Sequence, residues 1–383
     1  MDFGLTKEQQ DIKNAAREFA EGEFPPIAKE CDEEEKLDRD LLERARELGF
    51  VGANIPEEYG GPGLGYFDKA LIVEEFWRVD PGIGQGIVSV TFGAEILMDF
   101  GTEEQKRRYL TPLVEGHSII ATAITEPDAG SDVTSAQTTA VREGDEYVIN
   151  GSKMFITNGT LADYILVFCK THPEEPNRHS QYSLIMVETD RQGFEANKLK
   201  KKLGIRASDT AELSFNNVRV PINNLIGEEK KGFRQILNLF NRERIIICAQ
   251  GTGLAQGALE QAIRHITQRE QFGKKIASFQ AIRFKIAEMA TLIEAGRSLY
   301  YRAAWSMDSG QEDHGLIAMA KWFCSQNAVT VAQESLQMHG GYGFLNEYDI
   351  ARFYRDSKIL EIYEGTKEME KSVVANVLLG KAG

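Results

Sequence analysis

Apolar and polar positions recur with helical spacing in the first part of this chain. Before about residue 117 the apolar positions repeat every three or four residues, which is typical of helices packed on a core. Capping-box spacing at Thr6 to Gln9 and at Thr102 to Gln105 predicts two helix starts. A further helix is predicted where a leucine-rich stripe ends at Gly49. Residues 1–117 therefore form a predicted helical domain.

The spacing of the apolar positions changes between residues 118 and 227. Short β-branched and aromatic runs are separated there by turn residues, which is typical of strands. Asn150-Gly151 lies between two such runs and predicts a type I′ hairpin turn, because both residues tolerate positive φ. We interpret residues 118–227 as a β domain.

Long helical patterns return from residue 228 to residue 383. One apolar stripe comprises Ile282, Ile286, Met289, Ala290 and Ile293, and another extends from Leu316 to Met338. Helices of this length predict a bundle. The order of helices, β domain and helices predicts an α+β protein rather than an alternating βαβ fold.

Composition and charge exclude several classes of protein. The chain has 383 residues, is 42% hydrophobic and carries a net charge of −14, which disfavours binding to nucleic acid or anionic lipid. No apolar run reaches the length of a membrane span, and the N-terminus lacks a signal-peptide pattern. We therefore expect a cytoplasmic protein without membrane insertion. The four cysteines are widely separated, so no metal site and no disulfide framework is expected.

Three glycines invite comparison with a dinucleotide-binding loop. Gly251, Gly253 and Gly257 have the spacing GxGxxxG rather than GxGxxG, and helical periodicity continues on both sides. Close packing of helices through small residues is the better interpretation. An NAD-dependent dehydrogenase is accordingly disfavoured.

Several longer motifs, spread along the chain, resemble those of the acyl-CoA dehydrogenases. They are ATAITEPDAGSD (121–132), GSKMFITNG (151–159), KLGIRASDT (202–210), REQFGK (269–274), LQMHGGYGF (336–344) and YRDSKILEIYEGTKE (354–368). They occur in the family's order, and the resemblance covers essentially the whole chain. It implies a β-barrel-like middle domain, a C-terminal four-helix bundle, FAD as cofactor and an acyl-CoA substrate. It further implies electron-transferring flavoprotein as electron acceptor and a homotetramer built as a dimer of dimers.

Glu364 matches the family's catalytic base in EIYEGT, so the resemblance implies that it removes the proton α to the thioester carbonyl. A dry pocket is expected to raise its pKa towards neutrality. Glu243 matches the position at which isovaleryl- and long-chain acyl-CoA dehydrogenases carry their base, and this chain has both glutamates. Our preferred interpretation gives catalysis to Glu364 and a hydrogen bond or ion pair with Arg242 or Arg244 to Glu243. If both face the substrate, mutual repulsion raises one pKa.

The resemblance also implies two groups of cofactor-binding residues. The first group would surround the flavin ring and phosphates, with Phe155 shielding one ring face, and comprises Ala123, Thr125, Ser131, Phe155, Thr157 and Thr366. The second would meet the FAD of a neighbouring subunit and comprises Arg269, Phe272, Gln337, Gly340 and Gly341. On pattern alone Thr366 is also the predicted cap of the last helix.

Substrate contacts are expected from Ser131, Glu243, Arg244, Thr91 and Gly365. In the family, an arginine like Arg244 anchors the helix near the CoA thioester arm. Phe92 is expected near the acyl pocket. Gln85 stands where glutaryl-CoA dehydrogenases carry an arginine, so a dicarboxylic substrate is disfavoured.

Two alternatives remain open at this stage. One is an acyl-CoA oxidase that transfers electrons to oxygen. Oxidases that resemble this family with an additional C-terminal domain are much longer than this chain, which favours a dehydrogenase. The other is a relative that keeps FAD without turnover, against which Glu364 and the acidic charge argue. Saturated straight, branched, cyclic and aromatic acyl groups are all compatible with the sequence, since pocket volume sets the length and branching of the substrate.

Overall fold

The N-terminal region is helical, as predicted. The computed structural model describes residues 4–380, and both predicted capping boxes are present, with the Thr6 and Thr102 side chains accepting from Gln9 N and Gln105 N. Gly49 follows the third helix in a left-handed conformation, φ 77°. The helices of this region are α1 (Lys7–Glu23), α2 (Ala28–Glu33), α3 (Arg39–Glu47), α4 (Tyr66–Val79), α5 (Pro81–Val88), α6 (Ala94–Phe100) and α7 (Glu103–Glu115).

The stretch Pro81–Phe100 is the one segment within residues 4–380 that is long and apolar enough to cross a membrane by length and composition, and 72% of it is buried inside the protein. It includes α5 and α6 with a 3₁₀ turn between them. It is therefore interrupted and packed as part of the core.

The middle region is a mixed seven-stranded sheet with the order β1-β4-β2-β3-β7-β6, in which β5 also pairs with β4. One sheet face packs on α6, α7 and the start of the following helix, while the other encloses its own apolar cluster as a half-barrel. The strands are β1 (Ile120–Ala123), β2 (Thr139–Glu143), β3 (Glu146–Thr157), β4 (Tyr164–Lys170), β5 (Tyr182–Glu188), β6 (Phe194–Lys198) and β7 (Thr210–Pro221).

The predicted hairpin turn at Asn150-Gly151 is wrong. Both residues lie inside β3, at an irregularity in its register with β7, and the hairpin turn occurs earlier, at Gly144-Asp145. Gly151 is needed for a different reason. A Cβ atom there would come within 2.5 Å of Thr138 Oγ1, so the two strands could not approach.

The C-terminal region is a bundle of long helices, as predicted, and it also contains a small hairpin that the sequence did not predict. Its elements are α8 (Gly232–Gln268), β8 (Glu270–Gln271), β9 (Lys274–Lys275), α9 (Gln280–Asp308), α10 (His314–His339), α11 (Asp349–Ser357) and α12 (Lys367–Leu379). The largest apolar cluster fills the space between α8, α9 and α10 and includes residues of α4.

The glycines of α8 pack against neighbouring helices, as the sequence predicted. A Cβ atom on Gly253 would lie 2.1 Å from Glu74 O of α4, and one on Gly257 would lie 2.0 Å from Arg78 O. A Cβ on Gly251 would lie 2.9 Å from Cys324 O of α10. Since α8 is continuous through all three, a dinucleotide loop is excluded here.

Candidate active site

Glu364 lies on the short loop that joins α11 to α12, in a conformation that the surrounding structure enforces. Its φ is +52° and that of Gly365 is +100°. A non-glycine residue in the left-handed region costs on the order of 1 kcal/mol. The buried ammonium of Lys321, on α10, donates to Leu360 O at 3.0 Å, to Tyr363 O at 2.9 Å and to Gly365 O. One lysine thus fixes the backbone on both sides of Glu364.

Arg244 fixes the same loop from α8. Its Nε donates to Glu364 O at 3.3 Å and lies 3.0 Å from Glu370 Oε1, the fully buried carboxylate of α12. Its Nη1 donates to Asn241 Oδ1 at 3.1 Å. Arg244 therefore joins α8 to α12 across the backbone of the candidate base.

The backbone of Glu364 is restrained, and its carboxyl group has an open hydrogen-bonding position. Its Oε2 is buried and accepts no hydrogen bond from residues 4–380. Burial raises the pKa of Glu364 to about 8, the nearby Glu243 carboxyl adds to the rise, and Arg244 and Lys321 oppose it. The rise expected from the sequence is therefore present. A buried carboxyl group with a free oxygen is suited to proton transfer with a bound molecule.

Glu243 projects from α8 into a buried polar cluster. Its Oε1 lies 3.3 Å from Lys69 Nζ, and the same ammonium lies 2.8 Å from Glu95 Oε1 of α6. Burial raises the pKa of Glu243 to about 7, with Lys69 opposing the rise and Glu95 adding to it.

The expected arginine partner of Glu243 is wrong. Arg242 pairs with Asp99 at 2.5 Å and Arg244 pairs with Glu370, because both arginines leave α8 on other sides from Glu243. The actual partner, Lys69, is 174 residues away in sequence.

Ala123, Thr125 and Phe155 of the first group lie at the carboxyl end of β1, whereas Thr366 precedes α12. Met154 N donates to Thr125 O at 2.9 Å, which places the segment after Ala123 beside β3. The pairing of β3 with β7 is irregular between Lys153 and Ile156. Within that irregularity Phe155 has φ +62° and is 66% exposed. The structure thus presents an unpacked aromatic ring close to Thr125, and Thr157 ends the same strand.

A buried ion pair that sequence reasoning missed supports this corner. Lys153 is fully buried, and its Nζ donates to Ile124 O at 2.9 Å and to Glu126 Oε1 at 2.8 Å. Glu126 also accepts from Gln137 N at 2.6 Å and from Thr138 N at 2.9 Å. These bonds anchor the loop that leads to the exposed Ser131. Alternation within the strand could have suggested Lys153 as an inward-facing charge.

Thr366 caps α12, as predicted, with Oγ1 accepting from Met369 N at 3.3 Å. Thr91 is buried beside the end of β1, because Thr122 Oγ1 donates to Phe92 O at 3.0 Å. Gln85 accepts from Gln250 Nε2 at 2.9 Å, and Gln250 accepts in turn from the Tyr363 hydroxyl. Gln85 is therefore connected to the residue that precedes Glu364.

The second group of expected cofactor residues lies together on the surface. The Arg269 guanidinium is 5.5 Å from the Tyr342 ring centroid, next to Gly340 and Gly341. Phe272, on the hairpin after α8, is 92% exposed. Among residues 4–380, no hydrogen bond, ion pair or ring contact joins this group, which includes Gln337, to the first.

Three family models cover nearly all of the chain. The N-terminal, middle and C-terminal domains of acyl-CoA dehydrogenase match residues 6–117, 121–218 and 230–379. The chain therefore belongs to the acyl-CoA dehydrogenase family, whose members are oxidoreductases that bind FAD. The expected family, fold, enzyme class and cofactor are confirmed.

Similar proteins extend over the same length. The acryloyl-CoA reductase (NADH) of Anaerotignum propionicum is 40% identical over 99% of this chain and 96% of its own. The butyryl-CoA dehydrogenase structure from Megasphaera elsdenii has 40% identity and a TM-score of 0.94, covering 99% of this chain and all of its own. A chain in a solved structure described as the electron transferring flavoprotein of Acidaminococcus fermentans has 43% identity and a TM-score of 0.96, with complete coverage of both chains.

The residues at the end of β1 fit a flavin. A planar ring needs an apolar face and nearby hydrogen-bonding groups, which the exposed Phe155 and the half-buried Thr125 and Thr157 provide. The free Oε2 of Glu364 is suited to exchange a proton with a bound molecule. Gly340 and Gly341 would leave room for the distal part of the cofactor, since a Cβ on either meets no atom within 4 Å.

Proposed function

We propose that this chain dehydrogenates a CoA thioester between its α and β carbons, with Glu364 as the base that takes the α proton. Support comes from the family, from the free buried Oε2 of Glu364 and from the enforced geometry of its loop. When bound, FAD supplies the acceptor for the hydride from the β carbon. The protein's part is to bind, orient and exclude water.

Loss of the α proton places negative charge on the thioester oxygen, which must be stabilised. The Glu364 backbone N–H is proposed to donate to that oxygen, as the resemblance implies. Lys321 and Arg244 fix the backbone on both sides of this N–H and so preserve its direction. Ser131 is proposed to contact the CoA arm and Thr91 the acyl pocket.

One observation carries the proposal: a carboxyl group, raised in pKa to about 8 by burial, has a free buried oxygen on a loop that Lys321 restrains. A surface glutamate would have neither property. The deciding experiment is anaerobic titration of the purified yellow protein with a panel of acyl-CoA thioesters. Bleaching of the flavin band by at least one thioester is expected, and its absence with every saturated acyl-CoA would contradict the proposal.

The physiological electron acceptor is proposed to be an electron-transferring flavoprotein. Support comes from the Acidaminococcus fermentans structure and from a relative named as a subunit of a caffeyl-CoA reductase-Etf complex in Acetobacterium woodii. In air, the reduced protein should reoxidise slowly, whereas fast peroxide formation would favour the oxidase. A homotetramer is also proposed, with Phe272 and the glycines after α10 contacting the FAD of a neighbouring subunit.

A second candidate is the reverse reaction, reduction of an enoyl-CoA. It is favoured by the reductase from Anaerotignum propionicum and by Glu364 itself, since a carboxyl group with a pKa of about 8 is mostly protonated at neutral pH. A protonated Glu364 could deliver a proton to the α carbon. Comparison of rates with matched saturated and unsaturated thioesters at one pH distinguishes the two directions.

A further inference from the structure

A cluster of buried polar groups lies beside the candidate base. Such groups would contribute little to the binding of a plain alkyl chain. Tyr66 and Lys69 come from α4, Glu95 from α6 and Glu243 from α8. The cluster adjoins the loop of the base because Glu243 directly precedes Arg244 on α8, and Arg244 Nε donates to Glu364 O at 3.3 Å. The Glu243 carboxyl also raises the pKa of Glu364. Four residues from three helices therefore converge next to the proposed reaction centre.

The hydrogen bonds within this cluster are incomplete. Lys69 Nζ donates to Glu95 Oε1 and Glu243 Oε1, which leaves one ammonium N–H without an acceptor among residues 4–380. Glu95 Oε1 also accepts from Asn54 at 3.2 Å, but Glu95 Oε2 is buried and accepts nothing from the described residues. Both a donor and an acceptor are thus open.

The Tyr66 hydroxyl belongs to the same cluster. Arg242 Nη1 donates to it at 3.5 Å, and Glu95 and Glu243 contribute to the raised pKa of its phenol. A proton on Glu243 could be shared with Glu95 and fill one open position. The free ammonium N–H and the phenol proton would still lack acceptors among residues 4–380.

The fold gains little from such a cluster. Burying ions is costly, and replacing a buried ion pair with apolar side chains is often neutral or stabilising. A purely alkyl substrate would not need these charges either. The position beside the base points to a bound group that completes the hydrogen bonds.

The charges limit what that group can be. Lys69 is opposed by Glu95 and Glu243, and Arg242 is paired with Asp99 at 2.5 Å. The cluster has no spare positive charge for a carboxylate. A neutral group that both donates and accepts a hydrogen bond satisfies the open positions.

We propose that the acyl group of the substrate carries a hydroxyl, which donates to Glu95 and accepts from Lys69. Tyr66 lies beside the same position. This inference rests on the proposed dehydrogenation and names its substrate class. It makes Lys69 and Glu95 specificity-determining residues, because an alkyl substrate leaves their buried polar atoms unpaired.

The test uses anaerobic flavin bleaching by the holoenzyme with matched substrates. The pairs are butyryl- and 4-hydroxybutyryl-CoA, pentanoyl- and 5-hydroxypentanoyl-CoA, and hexanoyl- and 6-hydroxyhexanoyl-CoA, with glutaryl- and adipoyl-CoA as carboxylate probes. In at least one pair kcat/KM should be at least about tenfold higher for the hydroxylated member. Equal or faster reaction of the alkyl member in every pair, or of a carboxylate probe over all hydroxylated probes, would overturn the inference.

Variants locate the effect. Lys69→Met combined with Glu95→Leu removes both charges. In this variant the ratio of kcat/KM for the hydroxylated substrate to kcat/KM for its alkyl partner should fall to one or below. Should this variant fail to retain FAD, Tyr66→Phe is the milder test, with an expected loss of about threefold in the same ratio. Lys13→Met is the matched control, since Lys13 is another buried lysine that contacts α4, through Glu74 and Glu75. In Lys13→Met the kcat/KM ratio of hydroxylated to alkyl substrate should be unchanged.

The outcomes separate this inference from the proposed function. If no thioester of any kind bleaches the flavin, the dehydrogenase proposal fails. If alkyl thioesters bleach it at least as well as their hydroxylated partners, the dehydrogenase proposal stands and the hydroxyl site is wrong. An unchanged ratio in a folded Lys69→Met, Glu95→Leu variant likewise contradicts the site.

Discussion

Two buried lysine–glutamate clusters in this protein differ in how completely their hydrogen bonds are made. In the β domain, Lys153 and Glu126 are surrounded by backbone donors and acceptors, and both oxygens of Glu126 accept a bond. In the helical part, Lys69 pairs with Glu95 and Glu243, but Glu95 Oε2 accepts none from the described residues. The first cluster anchors a loop, and the second is suited to a ligand.

The pKa directions divide the carboxyl groups differently, since Lys69 holds the pKa of Glu95 below its usual value despite burial. Lys153 and two backbone N–H groups hold the pKa of Glu126 below its usual value despite burial. Burial and neighbouring carboxyls raise the pKa of Glu243 to about 7 and that of Glu364 to about 8. Carboxyl groups whose pKa burial raises towards neutrality, such as Glu243 and Glu364, can exchange protons near neutral pH, whereas Glu126 and Glu95 remain ionised beside their lysines.

The largest effect is expected for Glu364→Gln. The amide cannot accept the α proton, so the rate of substrate-driven flavin bleaching should fall by more than about 100-fold, while the protein remains yellow. Stopped-flow absorbance measures both. Glu243→Gln is the matched control and should lose less than about tenfold. The reverse pattern would transfer the base to Glu243.

The next largest effect is expected in the free energy of unfolding, when the lysine of each cluster is replaced in turn. Lys153→Met leaves Glu126 buried without its ion partner and should lower the free energy of unfolding by about 3–5 kcal/mol. Lys69→Met should cost less, since Glu243 accepts a proton near neutral pH and can share it with Glu95. Urea unfolding followed by circular dichroism measures the difference. A larger loss for Lys69→Met would show that the helical cluster is the structural one.

A smaller effect is expected in the pH profile. The base works only when deprotonated, so kcat/KM for dehydrogenation should rise about tenfold per pH unit below the pKa of about 8 and level off above it. Glu243→Gln removes a neighbouring carboxyl that raises this pKa and should move the rise to lower pH. Glu195→Gln, at an exposed position of β6, should leave it in place. A profile that falls between pH 6 and 8 is incompatible with Glu364 as base.

The smallest effect is expected at the cap that follows the base. Thr366→Ala removes the acceptor for Met369 N and should cost about 1 kcal/mol, seen as a small decrease in Tm. Thr366→Ser keeps the hydroxyl and should restore most of the loss. If Ser and Ala variants are equally destabilised, the cap contributes nothing and the Thr366 methyl group matters instead.

Local features of the fold could be predicted from the sequence, and long-range contacts could not. The capping boxes and the packing glycines of α8 depend on neighbours a few residues away, and they were correct. Asn150-Gly151 gave a strong turn signal, but its glycine allows the close approach of Thr138, the residue that precedes β2. Tertiary packing there overrode a local preference.

The same limit applies to the candidate site. Glu364 was identified by its motif, and Thr366 by its place before a helix. Lys69 and Glu95 carry no motif, and their convergence with Glu243 depends on how α4, α6 and α8 pack. The assignment of Arg242 or Arg244 to Glu243 failed because adjacent residues on a helix leave it in different directions.

Exchange of the substrate's α proton with solvent tests the central claim most directly. Wild-type holoenzyme should wash deuterium from D₂O into the α carbon of a bound acyl-CoA, followed by NMR, because deprotonation of that carbon needs no net turnover. Glu364→Gln should abolish the exchange, and Glu243→Gln should retain it. Undiminished exchange in Glu364→Gln, with loss in Glu243→Gln, would contradict the assignment of Glu364 as the base.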